Sequence, residues 1–383
     1  MDNTEPQPGT DARWGADSLF FSNAYHYRLP LHLIAQEPLQ DREQSRLMVL
    51  NRRTGQISDS VFSNLRYFLR DGDLLVVNNS KVFPARLIGH KQTGGRVELL
   101  LLRPCCREGR DSGCETSGSI GGHDWECLLH TSGRVRPGQV IVFAGRLRVE
   151  VIEATAPGIW RIRVSKDVDD LFPFLDEFGQ TPLPPYIKRS NTGVRSPDAQ
   201  ADHERYQTIF ARLVGSAAAP TAGLHFSHSL CSRLREEGVR FVEVTLHVGE
   251  ATFLPIRAHD VRKHFLRPES FILSHEAVQE IDEAKRSGRR VVAVGTTVVR
   301  CLESVAAEQG RLVPGAGLAG LYLVPGCRFQ VVDALITNFH IPRSSLLVLV
   351  CAFAGREAVL KAYRVAVRKG YRFFSYGDCM LIQ

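Results

Sequence analysis

The chain has 383 residues, 44% of them hydrophobic and 23% charged. That is a globular composition, too long for one simple domain, so two domains are expected. The formal net charge of +7 suits a polyanionic partner such as RNA, although many soluble proteins carry as much with none.

The start, MDNTEPQPGTDARWG, is polar and acidic and has no apolar signal region. Residues 1–20 are rich in Pro, Gly and Asp and read as a disordered tail. No run of 18 apolar residues occurs anywhere, so the protein reads as cytoplasmic and not membrane-spanning. Leu47 to Val77 reads as strand, hairpin, helix and strand. From Ala85 to Ser165 the pattern turns β-rich, with the runs ARLIGHK, RVELLLLR, WECLLH, QVIVFA, RLRVEVIEA and IWRIRVS. Turn signals such as Thr93-Gly94-Gly95, Pro137-Gly138 and Pro157-Gly158 separate them. Short strands with tight turns suggest a small barrel or sandwich. Cys105 to Asp124, rich in Gly, Ser and Cys and aperiodic, reads as a long mobile loop.

After Asp167 helices and strands alternate. Helices SHSLCSRLREEG and SHEAVQEIDEAKRSG each open on a Ser cap and stop at Gly. Strand RFVEVTLHV lies between them. Strand VVAV, Gly295 and helix TTVVRCLESVAAEQ follow. The expected fold class is therefore α/β. A mixed α/β main domain takes residues 21–84 and 165–383, with a small β-barrel domain, 85–164, inserted into it.

The nine cysteines show no C-x-x-C spacing, and His123 with Cys114 and Cys127 is too irregular for a metal site, so no metal is expected. Cys231, Cys301 and Cys351 read as small core residues. GAGLAG, Gly315 to Gly320, matches a dinucleotide fingerprint by letters, but a strand-like LYLV follows where a helix is needed.

Five runs place polar groups at element boundaries, where binding groups usually sit. In VAVGTTVVR, a strand leads through Gly295 into a helix that begins at Thr296 and Thr297. Their hydroxyls and the free helix N–H groups suit a carboxylate or phosphate, or the threonines are only caps. In VTLHVGEATF, Val242, Val244, Leu246 and Val248 share one face of a strand, and Glu243, Thr245 and His247 the other. His247 is then a base, a stacking surface or a structural imidazole. In APTAGLHF, Gly223 permits close approach of a ligand, and Thr221 and His225 are polar candidates or turn-formers. In ITNFHIPR, Asn338 and His340 alternate with Phe339 and Ile341, and Ser344 caps the apolar helix beyond. In YRFFSYGD, Arg372 and the aromatics stack on bases or belong to the core.

These runs, together with LIAQEPLQDREQSRLMVL, GDLLVVNNSKVFPARL, LPPYIKR and YQTIFA, stand in an order that resembles one family from about Tyr25 to Ile382. It is the S-adenosylmethionine:tRNA ribosyltransferase-isomerase family of queuosine biosynthesis. The resemblance implies an α/β domain with an inserted β-barrel. It implies that S-adenosylmethionine is consumed as a ribosyl donor, with no separate cofactor. The implied acceptor is preQ1 at the wobble position of tRNA, and the implied products are epoxyqueuosine-tRNA, adenine and methionine. A monomer is expected.

On the positions that match the family's runs, side-chain chemistry suggests His225, His247 and His340 as base or acid. Gly295, Thr296, Thr297 and Arg300 would hold the methionine carboxylate or a tRNA phosphate. Asn338 and Asp378 would hydrogen-bond the adenine or deazaguanine edge, and Thr221, Gly223 and Arg372 are further substrate-binding candidates. Three departures fall near this presumed site. Glu250-Ala251 replace Ala-Gly, His264 to Glu269 keeps only the first His and the Glu of the family's H-x-M-H-S-E, and Val298 replaces Ser. A non-catalytic tRNA-binding relative and an RNA methyltransferase remain as alternatives. The first would release no adenine; the second would leave S-adenosylhomocysteine.

Overall fold

The computed structural model describes residues 19–105, 123–166, 168–189, 197–249 and 255–383. Most of the expected tail and most of the Cys105–Asp124 stretch, as well as Glu250 and Ala251, lie outside the described residues.

Strands β1 (Arg46–Leu50) and β2 (Ile57–Val61) form a hairpin, and β3 (Leu74–Asn78) and β4 (Ser80–Val82) follow. Next come β5 (Arg86–Lys91), β6 (Arg96–Pro104), β7 (Asp124–Thr131), β8 (Val140–Phe143), β9 (Leu147–Ala156) and β10 (Ile159–Val164). These six close into an antiparallel barrel in the order β10-β7-β6-β5-β8-β9. The alternation is visible on β9, where Leu147, Val149 and Val151 point in while Arg148 and Glu150 point out. Trp125, Phe143 and Val97 fill the barrel. Helix α1 (Val168–Phe178) adds Leu171, Phe174 and Leu175 to that same core. Cys105 N donates to Asp124 O at 2.8 Å, so the chain leaves β6 and re-enters β7 at neighbouring points.

Helix α2 (Pro197–Arg205) and β11 (Leu213–Ser216) return the chain to the larger unit, where β11 pairs with β4. Then come α3 (His228–Glu236), β12 (Arg240–Leu246), β13 (Glu269–Leu273), α4 (His275–Arg286), β14 (Val291–Val294) and α5 (Thr296–Gln309). The chain finishes with β15 (Gly315–Ala319), β16 (Ala334–Asn338), α6 (Ser345–Ala354), α7 (Arg356–Arg368) and β17 (Cys379–Ile382). Ser227, Ser274 and Ser344 cap α3, α4 and α6, each hydroxyl accepting from the N–H three residues on.

The larger sheet has nine strands in the order β15-β13-β12-β3-β14-β16-β17-β1-β2. Its centre, β12-β3-β14-β16, is parallel. Such strands are covered on both faces and read as near-continuous apolar runs, which is why LLVVN, VVAV and ALITN are buried throughout. Period-two alternation deals their side chains into two cores. Leu74, Val76, Val291, Ala293 and Leu335 face α4 to α7. Leu75, Val77, Val292, Val294 and Ile336 face α3 and the 310 turn Phe62–Phe68.

One expectation is corrected. LYLV at 321–324 forms no strand; the glycine-rich Gly315–Ala319 does, as the edge strand β15 beside β13. Glycine fits at 317 because Phe271 leans over the edge, with its ring 3.1 Å from where a Cβ on Gly317 would lie.

Candidate active site

Parallel α/β sheets bind ligands beyond the carboxyl ends of their strands. Here β14 and β16 end side by side. β14 turns through Gly295 into α5, and β16 runs into Asn338, Phe339 and His340. The turn needs glycine: φ at Gly295 is +99°, a region that side chains with a Cβ avoid. Between these ends lies a cleft with about 580 Å³ of empty space, part of it open to solvent. Thr221, Gly295, Thr296, Thr297, Asn338 and His340 line it. So do Phe374, one of the aromatics of YRFFSYGD, and Tyr186, Thr337 and Ser375, which sequence reasoning had not singled out. No Asp, Glu, Lys or Arg is among its described lining residues.

The N-terminus of α5 opens at this cleft. Its N-cap is Gly295 and no side chain caps it, so neither threonine acts as a cap. First-turn N–H groups have no intrahelical acceptor and carry the positive end of the helix dipole. Thr297 Oγ1 is buried without a hydrogen-bond partner among the described residues. A helix N-terminus with a waiting hydroxyl is suited to an anionic oxygen.

His340 stands on the opposite strand end. Its Nε2 is 2.8 Å from Thr337 Oγ1, and its N–H donates to Tyr363 Oη at 3.1 Å. Thr337 Oγ1 also lies 3.3 Å from Asn338 O. If the hydroxyl donates to that carbonyl, it accepts from Nε2–H, and the free lone pair falls on Nδ1. Burial pushes the imidazole down to about 3, so it is neutral at ordinary pH.

Asn338 is pinned on one side. Its Nδ2 donates to Phe374 O at 3.0 Å and lies 3.2 Å from His225 Nε2. Its Oδ1 is buried without a partner among the described residues. Phe374 holds φ at +72°, an outlier for an aromatic residue, and its strained carbonyl accepts from Asn338. Tyr186 Oη and Ser375 Oγ are 2.7 Å apart at the same wall, and the rings of Tyr186 and Phe374 are 4.7 Å apart.

The remaining sequence candidates sit elsewhere. His225 is fully enclosed behind Asn338, with Ser45 Oγ 2.7 Å from Nδ1. It borders a smaller pocket shared with Arg42, Arg205 and Tyr376. Gly223 makes a close approach, but to protein: a Cβ there would lie 2.9 Å from Thr208 Cγ2. His247 follows the end of β12 with its ring against Gly215, and its Nδ1 has no partner among the described residues. Arg300 points into the core, where Nη1 bonds Glu269 and Nη2 donates to Ala319 O at 3.1 Å. Asp378 accepts from the N–H groups of Arg46 at 2.9 Å and Arg372 at 2.7 Å, tying β1 to the last turn. Arg372 itself reaches Glu37 O. Val298 is a core residue of α5. Among the described residues no group of three His, Cys, Asp or Glu is placed to hold a metal.

Three imidazoles, His225 buried and His247 and His340 half-buried, carry a pH signature. Burial pushes His225 and His247 down to about 4 and His340 to about 3. Unfolded histidines take up protons as pH falls through about 6.5, whereas these stay neutral in the folded chain. The unfolded state then binds more protons, and stability drops as pH falls from about 6.5 toward 4. Denaturant melts across that range should show a decline that begins above the carboxylate range and exceeds one proton taken up per unfolding event. A flat profile between pH 6.5 and 5 would contradict the neutral assignment.

Over residues 22–382 the chain matches the family model described as Queuosine biosynthesis protein. It is 48% identical to the S-adenosylmethionine:tRNA ribosyltransferase-isomerase of Carboxydothermus hydrogenoformans, over 94% of this chain and 98% of that one. The enzyme of the same name from Syntrophotalea carbinolica is 47% identical, with the same coverage. A crystal structure of S-adenosylmethionine tRNA ribosyltransferase from Thermotoga maritima matches with a TM-score of 0.50 and 34% identity, over 94% of this chain and 100% of that one.

Proposed function

The chain belongs to the queuosine biosynthesis family of S-adenosylmethionine:tRNA ribosyltransferase-isomerases, and on that premise we propose that it transfers and isomerises the ribosyl group of S-adenosylmethionine onto preQ1 at the tRNA wobble position. The products are epoxyqueuosine-tRNA, adenine and methionine. S-adenosylmethionine is consumed as a substrate, and no separate cofactor takes part.

The observation that carries this reading is the cleft at the ends of β14 and β16. It offers a helix N-terminus with free N–H groups, one imidazole and the Tyr186 and Phe374 rings, without a charged side chain among its described residues. In the proposed arrangement the methionine carboxylate sits at the α5 N-terminus, within reach of Thr296, Thr297 and the Gly295 turn. The sulfonium lies against the Tyr186 and Phe374 rings, whose faces attract a cation. His340 takes the proton from C5′, which the adjacent positive sulfur acidifies. The C1′–N bond breaks, and adenine leaves with the proton that His340 took. The preQ1 amine forms its C–N bond to the ribosyl group and gives up a proton to solvent. Epoxide closure breaks the ribosyl C–S bond and expels methionine. Because little of this needs covalent catalysis, the protein's contribution is positioning and proton transfer. Thr221 closes the cleft beside α5. The chain is read as a monomer acting in the cytoplasm; no helix among the described residues is long and apolar enough to cross a membrane.

Arg42 and Arg205 border the neighbouring pocket, and the charges of Arg42 and Arg372 both bear on His225. This cationic side is the proposed seat of tRNA phosphates, while the unstacked wobble base supplies specificity by stacking and edge contacts. Whole-tRNA affinity should therefore fall steeply as salt rises, because bound counterions are released. S-adenosylmethionine affinity should change much less. A salt-insensitive tRNA titration would contradict phosphate-dominated binding.

The reaction is tested by incubating the protein with preQ1-containing tRNA and S-adenosylmethionine, then digesting the tRNA for nucleoside mass analysis. Epoxyqueuosine with free adenine and methionine is the expected result. S-adenosylhomocysteine would point to methyl transfer, and bound tRNA without adenine release would point to a non-catalytic relative.

A further inference from the structure

We infer that His225 is a positioning residue: its imidazole locks the Asn338 amide so that Oδ1 stands as an acceptor for a nucleobase N–H in the cleft. The inference rests on the reading above and assigns His225 no proton transfer.

The hydrogen count leaves one arrangement. Phe374 O can only accept, so the Asn338 atom facing it at 3.0 Å is the NH₂ group. That fixes which way the amide points. Its second hydrogen is directed at His225 Nε2, 3.2 Å away, which must then carry a lone pair. A neutral imidazole with a bare Nε2 has its hydrogen on Nδ1. Nδ1–H meets Ser45 Oγ at 2.7 Å, and the Ser45 hydroxyl in turn reaches Arg42 O at 3.3 Å. Every donor in the chain Asn338–His225–Ser45–Arg42 has an acceptor, and no hydrogen is left over.

Both ends of this relay are anchored. Arg42 and Ser45 border β1, and Arg42 Nη1 donates to Gln207 O at 2.8 Å and Leu224 O at 3.2 Å. His225 ends the 310 turn Thr221–His225 and lies against the Phe62 ring at 4.9–5.2 Å together with its neighbour Phe226. Burial, helped by the nearby Arg42 and Arg372 charges, holds the ring unprotonated, and with the amide oriented by Phe374 O a proton on Nε2 would face the Asn338 NH₂. Among the described residues the polar atom of this relay left without a partner is Asn338 Oδ1, on a residue that lines the cleft. A buried amide oxygen without a partner is costly, and a ligand N–H removes that cost. A site built to accept such a hydrogen bond rejects analogues that lack it. Two sources share the required chemistry, the exocyclic amine of adenine and the N–H edge of the deazaguanine.

The test compares wild type with His225→Phe, His225→Gln and Asn338→Ala. The substrates are S-adenosylmethionine, its analogue with purine in place of adenine, and a preQ1 anticodon stem-loop. If adenine is the donor, wild type should prefer S-adenosylmethionine over the purine analogue by about tenfold, one hydrogen bond's worth. His225→Phe and Asn338→Ala should lose that preference through KM, and His225→Gln, whose amide oxygen can replace Nε2, should recover most of it. If the deazaguanine is the donor, the same pattern appears in KM for the stem-loop and the purine analogue shows no discrimination. Discrimination lost in Asn338→Ala but kept in His225→Phe, or lost in neither, overturns the inference. Because His225→Phe could fail to fold, histidine ¹⁵N spectra of the wild-type protein, assigned against His225→Gln, provide an independent reading. Protonated Nδ1 supports the lock, and protonated Nε2 overturns it. Failure of wild type to release adenine at all would instead sink the proposed reaction.

Discussion

Replacing His340 by Gln is expected to lower turnover by about 10²–10⁴-fold, the usual contribution of a positioned acid or base, while leaving the melting temperature near that of wild type. Of the three histidines that sequence reasoning put forward, it alone lines the cleft. Its backbone is held independently of its ring, by Tyr363 Oη on the N–H and Tyr27 Oη on the carbonyl. Gln at 340 therefore keeps the strand end in place and removes only the imidazole lone pair. The ring is by itself a weak base, pushed down to about 3 by burial. Two features of the proposed complex offset this. The sulfonium acidifies the neighbouring C–H, and a carboxylate bound at α5 would favour a protonated imidazole nearby. Single-turnover kinetics at saturating S-adenosylmethionine isolates the step. Near-wild-type turnover in a folded variant would remove His340 from the chemistry.

Glu269→Leu should destabilise the fold by about 3–5 kcal/mol, the cost of breaking a buried ion pair from one side. Arg300 is 1% exposed and Glu269 6%. With the carboxylate gone, the guanidinium keeps only carbonyl contacts among the described residues, to Ala319 O at 3.1 Å and Arg267 O at 3.5 Å. The double variant Glu269→Leu/Arg300→Met should recover part of the loss, because an apolar pair of similar volume carries no stranded charge, while the hydrogen bond that Glu269 accepts from Gly249 N–H at 2.8 Å is lost in both variants. Urea melts of both variants measure this. A single variant as stable as wild type would mean that Arg300 is not held by Glu269. The pair joins β13 to α5, so it supports the helix whose N-terminus forms the site.

The positions read best from sequence are those governed by local rules. VVAV and TTVVRCLESVAAEQ became β14 and α5, with Gly295 between them in a conformation that glycine favours. The serine caps at 227, 274 and 344 needed only their own first turns. What local pattern did not carry was pairing at a distance. Arg300, on α5, looked like a ligand-binding cation because its partner lies 31 residues away on strand β13. Gly223 looked like room for a ligand, and the room belongs to Thr208. Tyr186 and Ser375 meet across 189 residues, so neither drew notice, although both stand inside runs, LPPYIKR and YRFFSYGD, that the resemblance had marked. LYLV had the composition of a strand, but the edge beside β13 was taken by GAGLA.

The central claim is that the cleft between the α5 N-terminus and Asn338–His340 receives the ribosyl donor. It is tested most directly by determining a structure of the protein with S-adenosylmethionine bound. The expected complex has the methionine carboxylate at the first-turn N–H groups of α5 and Thr297 Oγ1, with C5′ facing the His340 ring. Donor density in the barrel, beside His247 or at the Arg42–Arg205 pocket, with this cleft empty, would contradict it.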